Sequence, residues 1–145
     1  MTILKANYTH LDQIVPLFDA YRVFYRQVSN PEAARQFIKA RLETQDTIIL
    51  IAFAENKPVG FTQLFHSFSS VSMQPLFILN DLYVDSNYRK QGFGVALLNE
   101  AKKLCINLDY KGIALQTETT NPAQKLYESL DWKIDKDLQY FWTNQ

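Results

Sequence analysis

Two of the four glycines in this chain, Gly92 and Gly94, stand one residue apart in the stretch Leu79–Leu98. That stretch reads L-N-D-L-Y-V-D-S-N-Y-R-K-Q-G-F-G-V-A-L-L: an apolar strand, a short loop and the opening turns of a helix. Glycine costs a helix roughly 1 kcal/mol relative to alanine, so a pair at a helix start points to a need for bare backbone. The first N–H groups of a helix have no partners inside it, and they form the positive end of its dipole. With no Cβ in the way, a phosphate can rest on them. Arg89 adds a fixed positive charge at the rim. The spacing narrows the ligand. A dinucleotide fingerprint needs a third glycine, and Val95, Ala96 and Leu97 follow Gly94 instead. A P-loop needs Gly-Lys-Ser/Thr, which follows neither glycine.

Other residues able to do chemistry lie on either side. Asp81 interrupts an otherwise apolar strand. A buried carboxylate there has a raised pKa unless it is partnered, which suits a base; a structural carboxylate bonded to nearby backbone fits the position equally. Tyr127 shares an apolar stripe with Leu126 and Leu130, so spacing alone makes it a core residue. His66 is an alternative base, although a lone histidine in a strand is more often structural. His10 and His66 show no metal-ligand spacing, and no metal is expected. Cys105, the one cysteine, sits on an apolar helix face and reads as packing. It permits no internal disulfide.

The elements that must position these groups follow from pattern. Residues 2–7 form a first strand. Thr9 followed by Asp12 starts a helix that runs to about residue 26, with Pro16 inside it. Ser29-Asn30-Pro31-Glu32 starts a second, with cap, proline and acid in order. Thr47–Ala54 is a buried β-branched strand, Glu55-Asn56-Lys57 a turn, and Pro58–Ser69 the returning strand. Met73–Val84 leads into the glycines. The helix after them carries Leu97, Leu98, Ala101, Leu104, Cys105 and Leu108 on one face and stops at Lys111-Gly112. Residues 112–117 form a strand, Asn121-Pro122 a further helix start, and Trp132–Trp142 two short strands split near Asp135–Asp137. The order β-α-α-β-β-β-α-β-α-β-β predicts an α/β fold. Its central sheet is mixed and mostly antiparallel, with a parallel pair at the glycine loop and helices on both faces.

Composition bounds the class. The 145 residues make one domain over the whole chain, with 47% apolar residues and fifteen basic groups balancing fifteen acidic ones. Zero formal charge argues against a general nucleic-acid or anionic-membrane binder. The start Met1-Thr2-Ile3-Leu4-Lys5 has no long apolar run, and no segment reaches membrane-spanning length. A cytoplasmic protein is expected.

The pattern R-x-x-G-x-G at Arg89, Gly92 and Gly94, after the strand Leu82-Tyr83-Val84, resembles the acetyl-CoA-binding motif of the GCN5-related N-acetyltransferase superfamily. A second element strengthens the likeness. That superfamily commonly carries N-x-x-A-x-x-L/F-Y-x-x-x-G-F, and here Asn121, Leu126 and Tyr127 match. Gln124 stands at the usual alanine position, and Asp131-Trp132 replaces Gly-Phe. Aspartate tolerates the left-handed backbone a helix end often needs. The element order resembles the acyl-CoA N-acyltransferase fold over nearly the whole chain.

The resemblance implies roles. Arg89, Gln91, Gly92, Phe93, Gly94 and Val95 hold the pyrophosphate of acetyl-CoA, mostly through backbone N–H groups. Leu82, Tyr83 and Val84 pair with the pantetheine arm like an added strand. Asn121 holds that arm or simply caps its helix. Tyr127 is the acid that protonates the departing thiolate. The base is less defined. Small polyamine-type acetyltransferases carry Glu-Asp, two aromatics and Val here, and this chain reads Asn80-Asp81-Leu82-Tyr83-Val84. Asn80 cannot take a proton, which leaves Asp81, Glu118 or a water chain.

On the acceptor side, Tyr21, Phe24 and Tyr25, with Asn80 and Glu118 and with Asp135, Asp137 and Tyr140, give aromatic walls and carboxylates that suit a cationic amine. The same aromatics fit a core or a dimer surface. The segment Phe61–Met73 lines the groove or pairs across a homodimer. Together these imply an acetyl-CoA-dependent N-acetyltransferase acting on a primary amine, of a small molecule or a peptide, by direct attack in a ternary complex. The rival from another class is a non-catalytic acyl-CoA-binding sensor, which needs the phosphate site but neither acid nor base.

Overall fold

The computed structural model describes residues 1–144. Five strands, β1 (Thr2–Lys5), β2 (Thr47–Ala54), β3 (Lys57–Ser69), β4 (Gln74–Val84) and β5 (Ile113–Leu115), form one sheet in the order β1-β2-β3-β4-β5. Every pair is antiparallel except β4 with β5, which is parallel over Phe77↔Ile113, Ile78↔Ala114 and Leu79↔Leu115.

Helices α1 (Leu11–Phe24) and α2 (Pro31–Thr44) cover one face, burying Ile14, Phe18 and Ile38 against Ile49, Ile51 and Phe61. Helix α3 (Phe93–Asn107) covers the other, with Leu97, Leu98 and Ala101 against Ile48, Leu50, Val59, Leu64 and Phe77. The short α4 (Gln124–Ser129) contributes Tyr127 to that second core. Strand β2 is apolar after Thr47 because both of its faces are covered; its alternate residues serve opposite cores. Among the described residues no helix is long and apolar enough to cross a membrane.

The second helix starts as its sequence predicts: Asn30 caps through a bond from the Ala33 N–H, with Pro31 first in the helix. Elsewhere the local chemistry differs. Asn7, not Thr9, provides the first cap. It accepts from the Thr9 N–H while His10 accepts from the Asn7 N–H, which closes a 3₁₀ turn at Tyr8–His10 ahead of α1. Helix α3 ends before Gly112, because Asp109 takes the left-handed backbone there at φ 56°. Strand β5 is shorter than residues 112–117.

The two strands expected over Trp132–Trp142 are absent, and residues 132–144 carry no regular structure. A tight hairpin needs left-handed backbone at its turn, and among the described residues the last such residue is Asp131 at φ 72°. Asp135, Asp137 and Tyr140 are exposed and lie outside the lining of the cavity described below.

Candidate active site

The site begins with a fault in β4. Gln63 on β3 pairs with Asp81, but the next pair is Leu64 with Leu79, so Asn80 is an extra, bulged residue. The bulge reverses the side-chain alternation. Before it, Phe77 and Leu79 face α3; after it, Leu82 and Val84 do so, and Tyr83 turns to the α1 side. Asp81 shares that side with Tyr83 and lies buried, 3% exposed, beside Tyr21 of α1.

Asp81 accepts one side-chain and one backbone bond there. Gln63 Nε2 donates to its Oδ2 at 2.5 Å, and Thr62 Oγ1 donates to its backbone carbonyl at 2.7 Å. The Tyr21 hydroxyl donates to the Asn80 carbonyl at 3.1 Å. Burial pushes the Asp81 carboxyl up to about 6, and the Gln63 bond with the nearby Tyr21 hydroxyl dipole only partly offsets it. Burial, then the Asp81 charge, raises the Tyr21 phenol further.

Past Leu79 and Leu115 the parallel pair ends and β4 runs on to Val84 with one edge free. Into that opening project the ends of three helices. They enclose a cavity of about 400 Å³ lined by Phe24, Tyr25, Leu79, Asn80, Leu82, Tyr83, Val84, Tyr88, Arg89, Lys90, Gly92, Phe93, Gly94, Val95, Gln116, Asn121, Pro122, Ala123, Leu126 and Tyr127.

The loop from β4 to α3 is built to present backbone. Asp85 Oδ1 accepts from the Asn87 N–H, setting a 3₁₀ turn at Ser86–Tyr88. Lys90 at φ 61° and Gly92 at φ 90° then turn the chain sharply into α3. Gly92 needs its lack of a side chain for that backbone. Gly94 does not: a Cβ there would lie 3.5 Å from Leu126 Cδ2, an ordinary contact, and its φ is not left-handed. Its bareness leaves the helix start open to the cavity. Arg89 is tied down by Nε donating to the Val84 carbonyl at 3.0 Å, with its guanidinium 5.6 Å from the Phe24 and Tyr83 ring centroids. These features fit a phosphate-bearing ligand: free N–H groups, two cations and no side chain between them.

Tyr127 lies across the cavity, 9% exposed, edge-on to Trp132 at 6.3 Å. Burial, then the Tyr25 charge, pushes its phenol up to about 12. Among the described residues its hydroxyl makes no hydrogen bond. Asn121 lines the cavity too, and its Oδ1 accepts from the Ala123 N–H at 2.9 Å, so it caps the turn into α4. Asp131 takes left-handed backbone at the end of that helix, as its replacement of glycine predicts.

The lining therefore gathers Leu82, Tyr83, Val84, Arg89, Gly92, Phe93, Gly94, Val95, Asn121, Tyr127, Phe24, Tyr25 and Asn80. Four expected residues lie outside it. Gln91 turns its amide to the Asn87 carbonyl. Asp81 and Tyr21 stand one layer behind the wall. Glu118 pairs with Arg26 at 3.2 Å at the surface. His66 is also elsewhere, 3.4 Å from the Tyr110 hydroxyl. Phe61 is core and Phe68 is exposed, so the segment they begin does not line this cavity. Cys105 is buried, and burial raises its thiol. Sequence reasoning missed Leu79, Tyr88, Lys90, Gln116, Pro122, Ala123 and Leu126. Lys90 was legible as a second cation beside Arg89; Gln116 was not, because only the splay of β5 from β4 brings it in.

Residues 14–132 match the Acetyltransferase (GNAT) family. Over 145 residues the chain is 42% identical to an uncharacterized N-acetyltransferase, YhfO, of Bacillus subtilis, covering 99% of this chain and 97% of that one. A probable acetyltransferase of Haemophilus influenzae is 34% identical over 141 residues, covering 88% and 97%. The crystal structure of a probable acetyltransferase superposes with a TM-score of 0.93 at 36% identity, covering 100% of this chain and 98% of that one. Enzymes of this family use acetyl-CoA as the acetyl donor, and on the family match over residues 14–132 and the 42% identity along nearly the whole chain, the chain belongs to the GNAT family of acetyltransferases.

Proposed function

We propose that the cavity binds acetyl-CoA and that the protein passes the acetyl group to a primary amine by direct attack in a ternary complex. One observation carries the reading. The bare start of α3 and the unbonded Tyr127 hydroxyl face the same cavity, so phosphate binding and proton donation are available within one ligand's length. Arg89, Lys90 and the N–H groups from Gly92 to Val95 hold the pyrophosphate. The free edge of β4 at Leu82–Val84 accepts the pantetheine arm as an added strand. Gln91 serves through the loop it braces.

The thioester supplies an activated acetyl group; the protein must manage two protons. An alkylammonium has a pKa near ~10.4 by analogy with lysine, so it must lose a proton before it attacks. Asp81 is the sink for that proton. Neither it nor Tyr21 is on the cavity wall, so a water chain is the relay, passing the Tyr21 hydroxyl that is bonded to the Asn80 carbonyl. Tyr127 stays protonated at neutral pH and donates to the departing sulfur, whose parent thiol has a pKa of about 8.5 by analogy with cysteine. Phe24 and Tyr25 wall the acceptor end with aromatic faces, Asn80 adds a polar edge, and Glu118 at the rim attracts a cationic amine. That amine belongs to a small molecule or a peptide.

Thiol release from acetyl-CoA across a panel of polyamines, amino acids, aminoglycosides and basic peptides tests this. Amine-dependent release is expected, and Tyr127→Phe lowers kcat by about 10²-fold or more while acetyl-CoA affinity, measured calorimetrically, stays within a factor of two or so. The position of Asp81 behind the wall favours the second reading, an acyl-CoA sensor. Tight acetyl-CoA binding with no release across the panel and no effect of Tyr127→Phe would establish that instead.

A further inference from the structure

Three neighbouring strands each place one polar side chain in a single row on the α1 side of the sheet. Gln63 of β3 and Asp81 of β4 are 1% and 3% exposed and stand opposite each other. Thr47, at the start of β2, lies diagonally across from Gln63, whose direct partner is Ile49. Thr47 Oγ1 donates to Gln63 Oε1 at 2.8 Å, and Gln63 Nε2 donates to Asp81 Oδ2 at 2.5 Å.

Such a row works against stability. A buried amide and carboxylate cost more than leucines of similar volume in the same places. What the row achieves is orientation. With its oxygen taken up by the Thr47 proton, the amide turns its N–H groups to Asp81. An N–H donor favours the ionised carboxylate and offers a protonated one no acceptor for its O–H. The backbone that carries the carboxylate is pinned as well, by Thr62 at the Asp81 carbonyl and by Tyr21 at the Asn80 carbonyl. The titratable groups facing Asp81 are the phenols of Tyr21 and Tyr25 from α1, both raised first by burial and so neutral at pH 7, and that of Tyr83 on its own strand. Strand β3 faces it with the uncharged Thr62 and Gln63, and among the described residues no cation acts on its charge. The Gln63 amide is thus the side-chain donor on which the ionised form depends.

We propose that Gln63 is a positioning residue for the transfer: oriented by Thr47, its amide holds the Asp81 side chain in the ionised, proton-accepting form. This rests on the reading of Asp81 as the proton sink. It gives a role to two residues that lie outside the cavity lining.

Two readouts test it. The first is the titration of the Asp81 carboxyl, followed by carbon NMR on protein isotope-labelled at aspartate Cγ and assigned by the signal lost in Asp81→Asn. It needs no acceptor. The second is the rising limb of kcat/KM against pH, with the panel amine that is turned over fastest. Gln63→Met keeps the length of the side chain and removes the amide. Both midpoints are expected to rise by about one pH unit, so that kcat/KM falls about fivefold near pH 6 and hardly at all near pH 8.5. A general loss of structure would lower it at both. Thr47→Val leaves Gln63 in place and is expected to move both midpoints the same way by less, while Thr47→Ser keeps the wild-type values. Should Gln63→Met not fold, the two Thr47 variants decide the matter. Thr47→Ser shifting as far as Thr47→Val overturns the proposal. A carboxyl midpoint that stays put in these variants, beside a limb near pH 6 that Asp81→Asn abolishes, overturns this proposal alone. A carboxyl midpoint that moves while the limb does not overturns both it and the proton-sink reading.

Discussion

Asp81 carries a carboxyl where the fold least favours its charge, and this has consequences for both stability and rate. Its folded pKa of about 6 lies above the ordinary value of 3.8. Between those values the folded chain binds a proton that the unfolded chain releases, so stability falls as pH rises through that window. At neutral pH the penalty is about 3 kcal/mol, since each pKa unit is worth about 1.4 kcal/mol. Asparagine keeps an oxygen for the Gln63 amide and carries no charge. Asp81→Asn is therefore expected to melt several degrees above wild type at pH 7.5 and to lose that advantage near pH 4, as followed by thermal scans across pH. A variant less stable than wild type at every pH would show that Asp81 is a satisfied structural carboxylate. The same titration governs the proposed relay. Asp81 accepts a proton only when ionised, so kcat/KM is expected to rise through about pH 6, and that limb disappears in Asp81→Asn. Tyr127, held at about 12, adds no falling limb below pH 10 or so.

At the scale of elements, the two glycines before and within the start of α3 do different work, and substitution separates them. Gly92 is fixed by backbone shape at φ 90°. Gly92→Ala is expected to lower stability by about 1–2 kcal/mol through left-handed strain. Gly94 has room for a methyl group. Gly94→Ala is expected to stabilise the helix by about 0.5–1 kcal/mol while weakening acetyl-CoA binding tenfold or so, because the methyl stands over the donor N–H groups. Thermal melts paired with calorimetric titration distinguish the two, and unchanged acetyl-CoA affinity in Gly94→Ala would remove the helix start from the binding site. The motif made this loop legible in sequence, since glycine spacing is a local property. Asn30-Pro31 and the β-branched run of β2 were legible for the same reason. The bulge at Asn80 was not: it is a mismatch between two strands, and no single stretch encodes it. It decides which face Asp81 takes, so the one-layer offset of Asp81 from the cavity was beyond sequence reasoning. The tail differs in kind: its residues predict two short strands, but a strand exists only with a partner, and residues 132–144 form none.

At the scale of the molecule, α1 and α2 close one face of the sheet and α3 and α4 the other, while β1 and β5 end it on either side. The two edges are unequal. Strand β1 is paired along its length with β2, whereas β5 holds to β4 over three residue pairs and adjoins a cavity with an exposed isoleucine. The weakest border of the sheet thus lies next to the splay that opens the candidate cavity.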